Sequence, residues 1–316
     1  MKKMFLLTVI PLCFLHIAFS QDGKIIEQTE YNYTDSVIGV VESIIPGIRA
    51  DVEKTRFYRI TYLSDGLKVK GYLATPKDGT KHPCIIYNRG GSREFSAIND
   101  RNFLRWIGRM AGAGYVVVAS QYRGNAGGEG KEEYGGKDLN DVLNLMPLLS
   151  SIKEADTSRI GMFGLSRGGM MTYLALTKTT KIKAAVVLSG LADLPQAREA
   201  RPDIDSVWSL MIPDYNTRRE EVLKQRSVTH FADRMYKSTP ILVVQGTGDW
   251  RVPAGQVIDL AKKLYEVKQP FRFILYEGGQ HSMIEHTKDF YEQTINWFND
   301  YLRDGKKWPD LKPHGE

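Results

Sequence analysis

Short apolar runs alternate along the chain with stretches whose apolar positions recur at helical spacing. Residues 57–62 and 69–73 read as a strand pair joined by a Ser64-Asp65-Gly66 turn. The runs at 84–87, 115–120, 160–163, 184–188, 241–245 and 271–276 are apolar at consecutive positions, as expected for strands covered on both faces. Between them, helical periodicity predicts helices over 102–113, 139–149 with a kink at Pro147, 257–267 and 284–302, and another opening just after Ser166. The alternation predicts an α/β domain over 56–304, with a mainly parallel sheet flanked by helices. Three stretches fall outside the rhythm. Residues 21–55 are a polar lead-in with no predicted element, and 305–316 a Lys- and Pro-containing tail. Residues 191–238, too long for an unstructured loop, are expected to form a small helical cap over the carboxyl edge of the sheet, with Trp208 and Tyr215 lining a substrate pocket.

Composition adds a location and removes several functions. Residues 1–20 carry Lys2 and Lys3, an apolar stretch and the small-residue ending Ala18-Phe19-Ser20, the pattern of a signal peptide cleaved before Gln21. The expected protein is exported, to the periplasm or the extracellular space, without stable membrane insertion. Of the two cysteines, Cys13 leaves with that segment and Cys84 sits in an apolar run, which predicts a buried, inert thiol. The 43 Lys and Arg against 37 Asp and Glu are interleaved, so nucleic-acid binding is not expected. No Cys or His pairs stand at metal-ligand spacing. The glycine-rich stretch 122–130 lacks the lysine-hydroxyl ending of a phosphate cradle, and Gly136-Lys137 is followed by Asp138. The expected chemistry needs neither metal nor cofactor, and no motif speaks to oligomeric state.

That chemistry centres on Gly164-x-Ser166-x-Gly168. An apolar strand before it and an apolar helix after it give the context of a nucleophile elbow, in which the serine is exposed on a strained turn at the carboxyl end of a strand. In such sheets the functional residues gather at the carboxyl ends of strands. After 241–245 comes Gly246-Thr247-Gly248-Asp249, and after 271–276 comes Gly278-Gly279-Gln280-His281. The order Ser166, Asp249, His281 is that of a triad mounted on this fold, with serine as nucleophile, histidine as base and aspartate as orienting acid. His286 and Glu277 are the nearest rivals; the first falls where the last helix should begin, and the second adjoins His281 on a strand end. The oxyanion donors expected are the Arg167 N–H and an N–H of Gly91 or Gly90, on the loop after 84–87. Arg89, Arg123, Trp250 and Arg251 fall on rim loops and are candidates for substrate contact, beside Trp208 and Tyr215.

Together, Ser64-Asp65-Gly66, Tyr87-Asn88-Arg89-Gly90-Gly91, Tyr122-Arg123-Gly124, the elbow, Gly246-Thr247-Gly248-Asp249-Trp250-Arg251-Val252-Pro253 and Gly278-Gly279-Gln280-His281 resemble the catalytic domain of prolyl oligopeptidase family serine hydrolases. The resemblance implies an α/β-hydrolase fold and the same three triad residues. It departs in three places. Residues 21–55 are too few for the β-propeller that many of those peptidases carry, Arg167 stands where a Tyr is frequent, and Arg89-Gly90-Gly91-Ser92 where many have His-Gly-Gly-Pro. The expected function is hydrolysis of an amide bond through an acyl-enzyme. An ester hydrolase acting on a small molecule or an acylated sugar is the alternative, and an inactive fold that only binds is a remoter one.

Overall fold

The computed structural model describes residues 21–315, so the signal-peptide expectation for 1–20 lies outside the described residues. Nine strands form one sheet: β1 (Ile25–Tyr31), β2 (Thr55–Ser64), β3 (Leu67–Pro76), β4 (His82–Asn88), β5 (Val116–Ser120), β6 (Ala155–Leu165), β7 (Ile182–Leu188), β8 (Ile241–Gly246) and β9 (Phe271–Tyr276). Their spatial order is β1-β2-β3-β5-β4-β6-β7-β8-β9. The first three and the β3–β5 pair run antiparallel, and everything from β5 to β9 is parallel. This is the α/β-hydrolase arrangement, with the elbow strand β6 in mid-sheet.

The consecutive apolar residues of the central strands follow from burial on both faces. Neighbours Ile85 and Ile86, Val117 and Val118, and Phe163 and Met162 divide between two separate hydrophobic clusters, one on each side of the sheet. The β2–β3 hairpin turns through Asp65 and Gly66, at φ 51° and 76°. Positive φ at both residues is the turn whose twist matches the strands it joins, which is why an Asp-Gly pair stands there.

The helices in chain order are α1 (Asp35–Glu42), α2 (Ile48–Glu53), α3 (Asp100–Gly112), α4 (Leu139–Leu143), α5 (Leu145–Leu149), α6 (Arg167–Ala175), α7 (Leu194–Ala200), α8 (Ile204–Met211), α9 (Tyr215–Lys224), α10 (Ala254–Glu266) and α11 (Thr287–Phe298). Two departures from the sequence reading have physical causes. The helix expected over 139–149 is two short helices meeting at Asn144. Pro147 has no N–H for the Leu143 carbonyl and its ring crowds that carbonyl, so the break falls three residues before the proline. The lead-in is also structured. Strand β1 is exposed at its five middle positions and is held by its backbone ladder to β2 and by the partly buried Ile25 and Tyr31 at its ends, too few apolar positions to stand out in the sequence. Helices α1 and α2 bury only Ile38, Val41, Ile48 and Asp51, with Thr34 capping the first, and their apolar stripe is too short to stand out as periodic.

Candidate active site

Ser166 occupies the single-residue junction between β6 and α6, with φ 57° and ψ −120°. A non-glycine residue in this sparsely populated region is strained and persists only where its surroundings fix it. Here they do. The Ser166 N–H donates to Leu188 O at 3.0 Å, and its carbonyl accepts from Gly169 at 2.9 Å and Leu191 at 3.2 Å. The flanking glycines are steric requirements. A Cβ on Gly164 would lie 2.3 Å from the Gly168 carbonyl oxygen, and one on Gly168 would lie 1.9 Å from the Asn88 carbonyl oxygen. Asn88 Nδ2 donates to Thr172 Oγ1 at 2.9 Å, and that hydroxyl donates to Gly168 O at 2.9 Å, tying the end of β4 to the same turn.

His281 follows β9, and its Nδ1 lies 2.8 Å from Asp249 Oδ2 and 3.0 Å from Oδ1. Asp249 follows β8 and is buried. Its Oδ1 accepts the N–H groups of Arg251 at 2.9 Å and Val252 at 3.0 Å, and Gln245 Nε2 reaches Oδ2 at 3.2 Å. Burial alone would raise its pKa, but the bond to His281, that ring's charge and the two amides outweigh it and hold the carboxyl below its ordinary value. Asp249 therefore stays ionised and accepts Nδ1–H, which leaves Nε2 of His281 as the basic nitrogen. Ser166 and His281 line one cavity of about 460 Å³. The rivals are elsewhere. His286 stacks on Tyr276 with ring centres 4.6 Å apart and contacts the Glu277 carbonyl, and the Glu277 residue is exposed.

The loop after β4 forms another wall of that cavity, with Gly90 and Gly91 in it. A Cβ on Gly90 would stand 3.1 Å from the Ser166 Cβ, so this backbone runs directly beside the serine. Arg167 is the first residue of α6, where an N–H has no intrahelical acceptor. Its side chain is buried and lies behind the cavity wall, against Gly91 and Tyr134. The buried guanidinium donates to Glu132, to Asp138 and, at 3.1 Å, to the Gly91 carbonyl, and it stacks between Tyr122 and Tyr134 at 4.7 and 4.5 Å. Burial works against its charge, but Asp138 and Glu132 more than compensate and raise its pKa.

Four residues expected at the pocket are not in its wall. Arg89 is buried and donates only to backbone carbonyls, among them Gly90 at 3.1 Å and Gln121 at 3.0 Å. Burial, then the charge of Arg167, lower its pKa. Arg123 is committed to Asp141 and Asp65, at 2.8 Å each. Trp208 packs against Tyr134 in the core, and Tyr215, also buried, bonds to Asp205 within the insertion. Trp250 and Arg251 do line the cavity. So do Arg105 and Trp106 from α3, Arg201 just past α7, and Ile204 and Val207 from α8, none of which the sequence singles out. Only helical phase could have flagged them, because no motif surrounds them.

Cys84 is buried in β4, and burial pushes its thiol up to about 12. Among the described residues, no three His, Cys, Asp or Glu side chains are grouped so as to hold a metal ion.

A sequence profile described as the prolyl oligopeptidase family matches residues 103–305. The chain is 30% identical over 230 residues to the uncharacterized peptidase YtmA of Bacillus subtilis, covering 72% of this chain and 87% of that protein. It is 24% identical over 256 residues to dipeptidyl-peptidase 5 of Porphyromonas gingivalis, covering 76% of this chain but 37% of that one. Among solved structures, it superposes on an acylaminoacyl peptidase of Pyrococcus horikoshii with a TM-score of 0.67 at 22% identity, over 82% of this chain and 44% of the other. A puromycin-hydrolyzing peptidase of Mycobacterium tuberculosis gives a TM-score of 0.64 at 25% identity, over 79% and 40%. The chain thus spans most of the first relative and less than half of each of the others. With a profile match over most of the sheet and that first relative nearly covered end to end, the chain belongs to the prolyl oligopeptidase family of serine hydrolases.

Proposed function

We propose that the protein is an exported peptidase that cleaves amide bonds through an acyl-enzyme on Ser166. The observation that carries this reading is the His281 Nδ1 to Asp249 Oδ2 contact of 2.8 Å, with His281 sharing a cavity with a serine held at a strained strand–helix junction. His281 Nε2 removes the Ser166 proton as Oγ attacks the carbonyl carbon, while Asp249 fixes the ring tautomer and stabilises the imidazolium. The carbonyl oxygen becomes an anion held by the Arg167 N–H and an N–H of Gly91, with Gly90 the alternate donor. Collapse of the intermediate breaks the C–N bond, and the His281 proton passes to the leaving amine. Water, deprotonated by the same nitrogen, then hydrolyses the ester. Removing one oxyanion donor of this kind costs roughly 3–4 kcal/mol of transition-state stabilisation.

In this reading Arg167 and Arg89 are positioning residues, since each donates to a carbonyl of the oxyanion loop, Gly91 and Gly90 respectively. The insertion 191–238 acts as a cap through Arg201, Ile204 and Val207. Export rests on the pattern of residues 1–20. Among the described residues no helix is long and apolar enough to cross a membrane.

The test is turnover of matched peptidyl anilides and acyl esters by residues 21–316 beside the Ser166→Ala variant. Anilide turnover lost in the variant is the expected result. Turnover of esters alone, again lost in the variant, would replace the peptidase with a carboxylic ester hydrolase. Turnover of neither would favour a fold that only binds.

A further inference from the structure

The charges around the cavity are one-sided. Its wall includes Arg105, Arg201 and Arg251 and, among the described residues, no Asp or Glu. Asp249 lies buried behind His281, with both carboxylate oxygens already accepting hydrogen bonds.

Two of the three guanidiniums have no anionic partner among the described residues. Arg251 has no hydrogen-bond or ion-pair acceptor for its side chain; it lies over Trp250 at 4.5 Å and Phe95 at 5.5 Å. Arg105 is half-buried, stacks on Trp106 at 4.7 Å and likewise has no side-chain acceptor. Burial depresses its pKa, which measures the cost of keeping that cation in the wall. Arg201 has one partner, Asp203 at 3.1 Å, whose side chain is 71% exposed, so the pair is screened and weak. Its Nε is buried without an acceptor, and its guanidinium lies 5.1 Å from the same Trp250 ring that Arg251 occupies. Two like charges against one indole repel each other, and an anion beside them would relieve that repulsion. Elsewhere among the described residues the buried guanidiniums have partners for their charge or their N–H groups: Arg123 and Arg167 are held by carboxylates, although Arg167 Nε itself has no acceptor, and Arg89 and Arg226 are held by backbone carbonyls.

We infer that the cavity selects substrates carrying a carboxylate near the scissile acyl group, bound by Arg251 and Arg201 against Trp250 or by Arg105 on α3. A guanidinium presents paired N–H donors that match a carboxylate, and such charge-assisted bonds are the strong ones in a partly dehydrated pocket. The exposed rings of Trp250 and Phe95, at 63% and 60%, supply an apolar surface for the rest of the ligand. The carboxylate comes either from the acyl side, as an acidic side chain or a dicarboxylic acyl cap, or from the free C-terminus of a short peptide. This inference rests on the hydrolytic reading above and names its substrate class.

The experiment uses two matched pairs. Succinyl and acetyl caps on one peptidyl anilide differ by a carboxylate on the acyl side. A short peptide with a free C-terminus and its C-terminal amide differ by a carboxylate on the leaving side. The carboxylate member of at least one pair is expected to have a kcat/KM about ten- to hundredfold higher. That ratio should shrink with added salt and in Arg251→Gln or Arg105→Gln, and the responding pair identifies the source of the carboxylate. Ratios within twofold in both pairs, or ratios indifferent to both substitutions, would overturn the inference and leave the arginines as partners of neutral carbonyls. Calorimetric binding of the same four compounds to Ser166→Ala separates this from failure of the hydrolytic reading. If nothing is hydrolysed but the carboxylate member binds more tightly, selection stands and the chemistry falls; equal binding overturns selection itself.

Discussion

Charges behind the elbow and charges in the cavity are treated in opposite ways. Behind the elbow, Arg167 is clamped by Glu132, Asp138 and the Gly91 carbonyl between two tyrosines, and Asp249 accepts from a ring, a side-chain amide and two backbone amides. In the cavity, Arg105 and Arg251 rest on indole rings with no acceptor among the described residues. A paired, buried charge fixes geometry, because moving it would strand its partners in a medium that solvates them poorly. An unpaired charge on a cavity wall keeps its bonding capacity for whatever enters. The strained serine needs surroundings of the first kind, and substrate selection needs the second.

The sharpest way to break this contrast is to disturb a committed charge. Asp249→Asn keeps the shape of the acid but favours the wrong tautomer of His281, and kcat is expected to fall by about 10⁴-fold. The same substitution carries a pH signature. The folded-state pKa of Asp249 is depressed, so its ionised form contributes stability above the ordinary carboxylate pKa and loses it as pH falls through the lower folded value. The gap in denaturation midpoint between wild type and Asp249→Asn should be widest near neutral pH and close as pH falls below the ordinary carboxylate range. A gap that widens in acid would reverse the assignment.

Arg167→Met comes next. It leaves Glu132 and Asp138 buried without their cation and frees the Gly91 carbonyl, at an expected cost of roughly 3–5 kcal/mol, read as a lowered denaturation midpoint. Arg251→Gln, on the other side of the contrast, should leave that midpoint within about 0.5 kcal/mol of wild type, since no partner is stranded. Equal losses from the two substitutions would erase the distinction between committed and free arginines.

What the chain reveals before folding follows the same division. The elbow, the loop carrying Asp249 and the loop carrying His281 each hold their key residue within a few positions of obligatory glycines, so local spacing singles them out. The helix and strand rhythm is equally local, and the parallel sheet follows from it. The cavity wall is different. Arg105 comes from α3, Arg201 from just past α7 and Val207 from α8, and these residues, far apart in sequence, share one cavity only in the folded chain. Trp208 and Tyr215 show the converse: large aromatics near a site in sequence can be consumed by the core. Strand β1 escapes notice because only its two end residues, Ile25 and Tyr31, pack on the core, while backbone pairing, which has no side-chain signature, carries the rest.

In the proposed mechanism everything depends on Ser166 being the nucleophile, activated by His281. The most direct test is the mass of the intact folded protein after exposure to a serine-reactive fluorophosphonate, followed by mapping of the modified peptide. A single adduct on Ser166, slowed strongly in His281→Ala and absent from protein unfolded before exposure, is the predicted result. No adduct on the folded protein, or an adduct on another residue, would contradict the account.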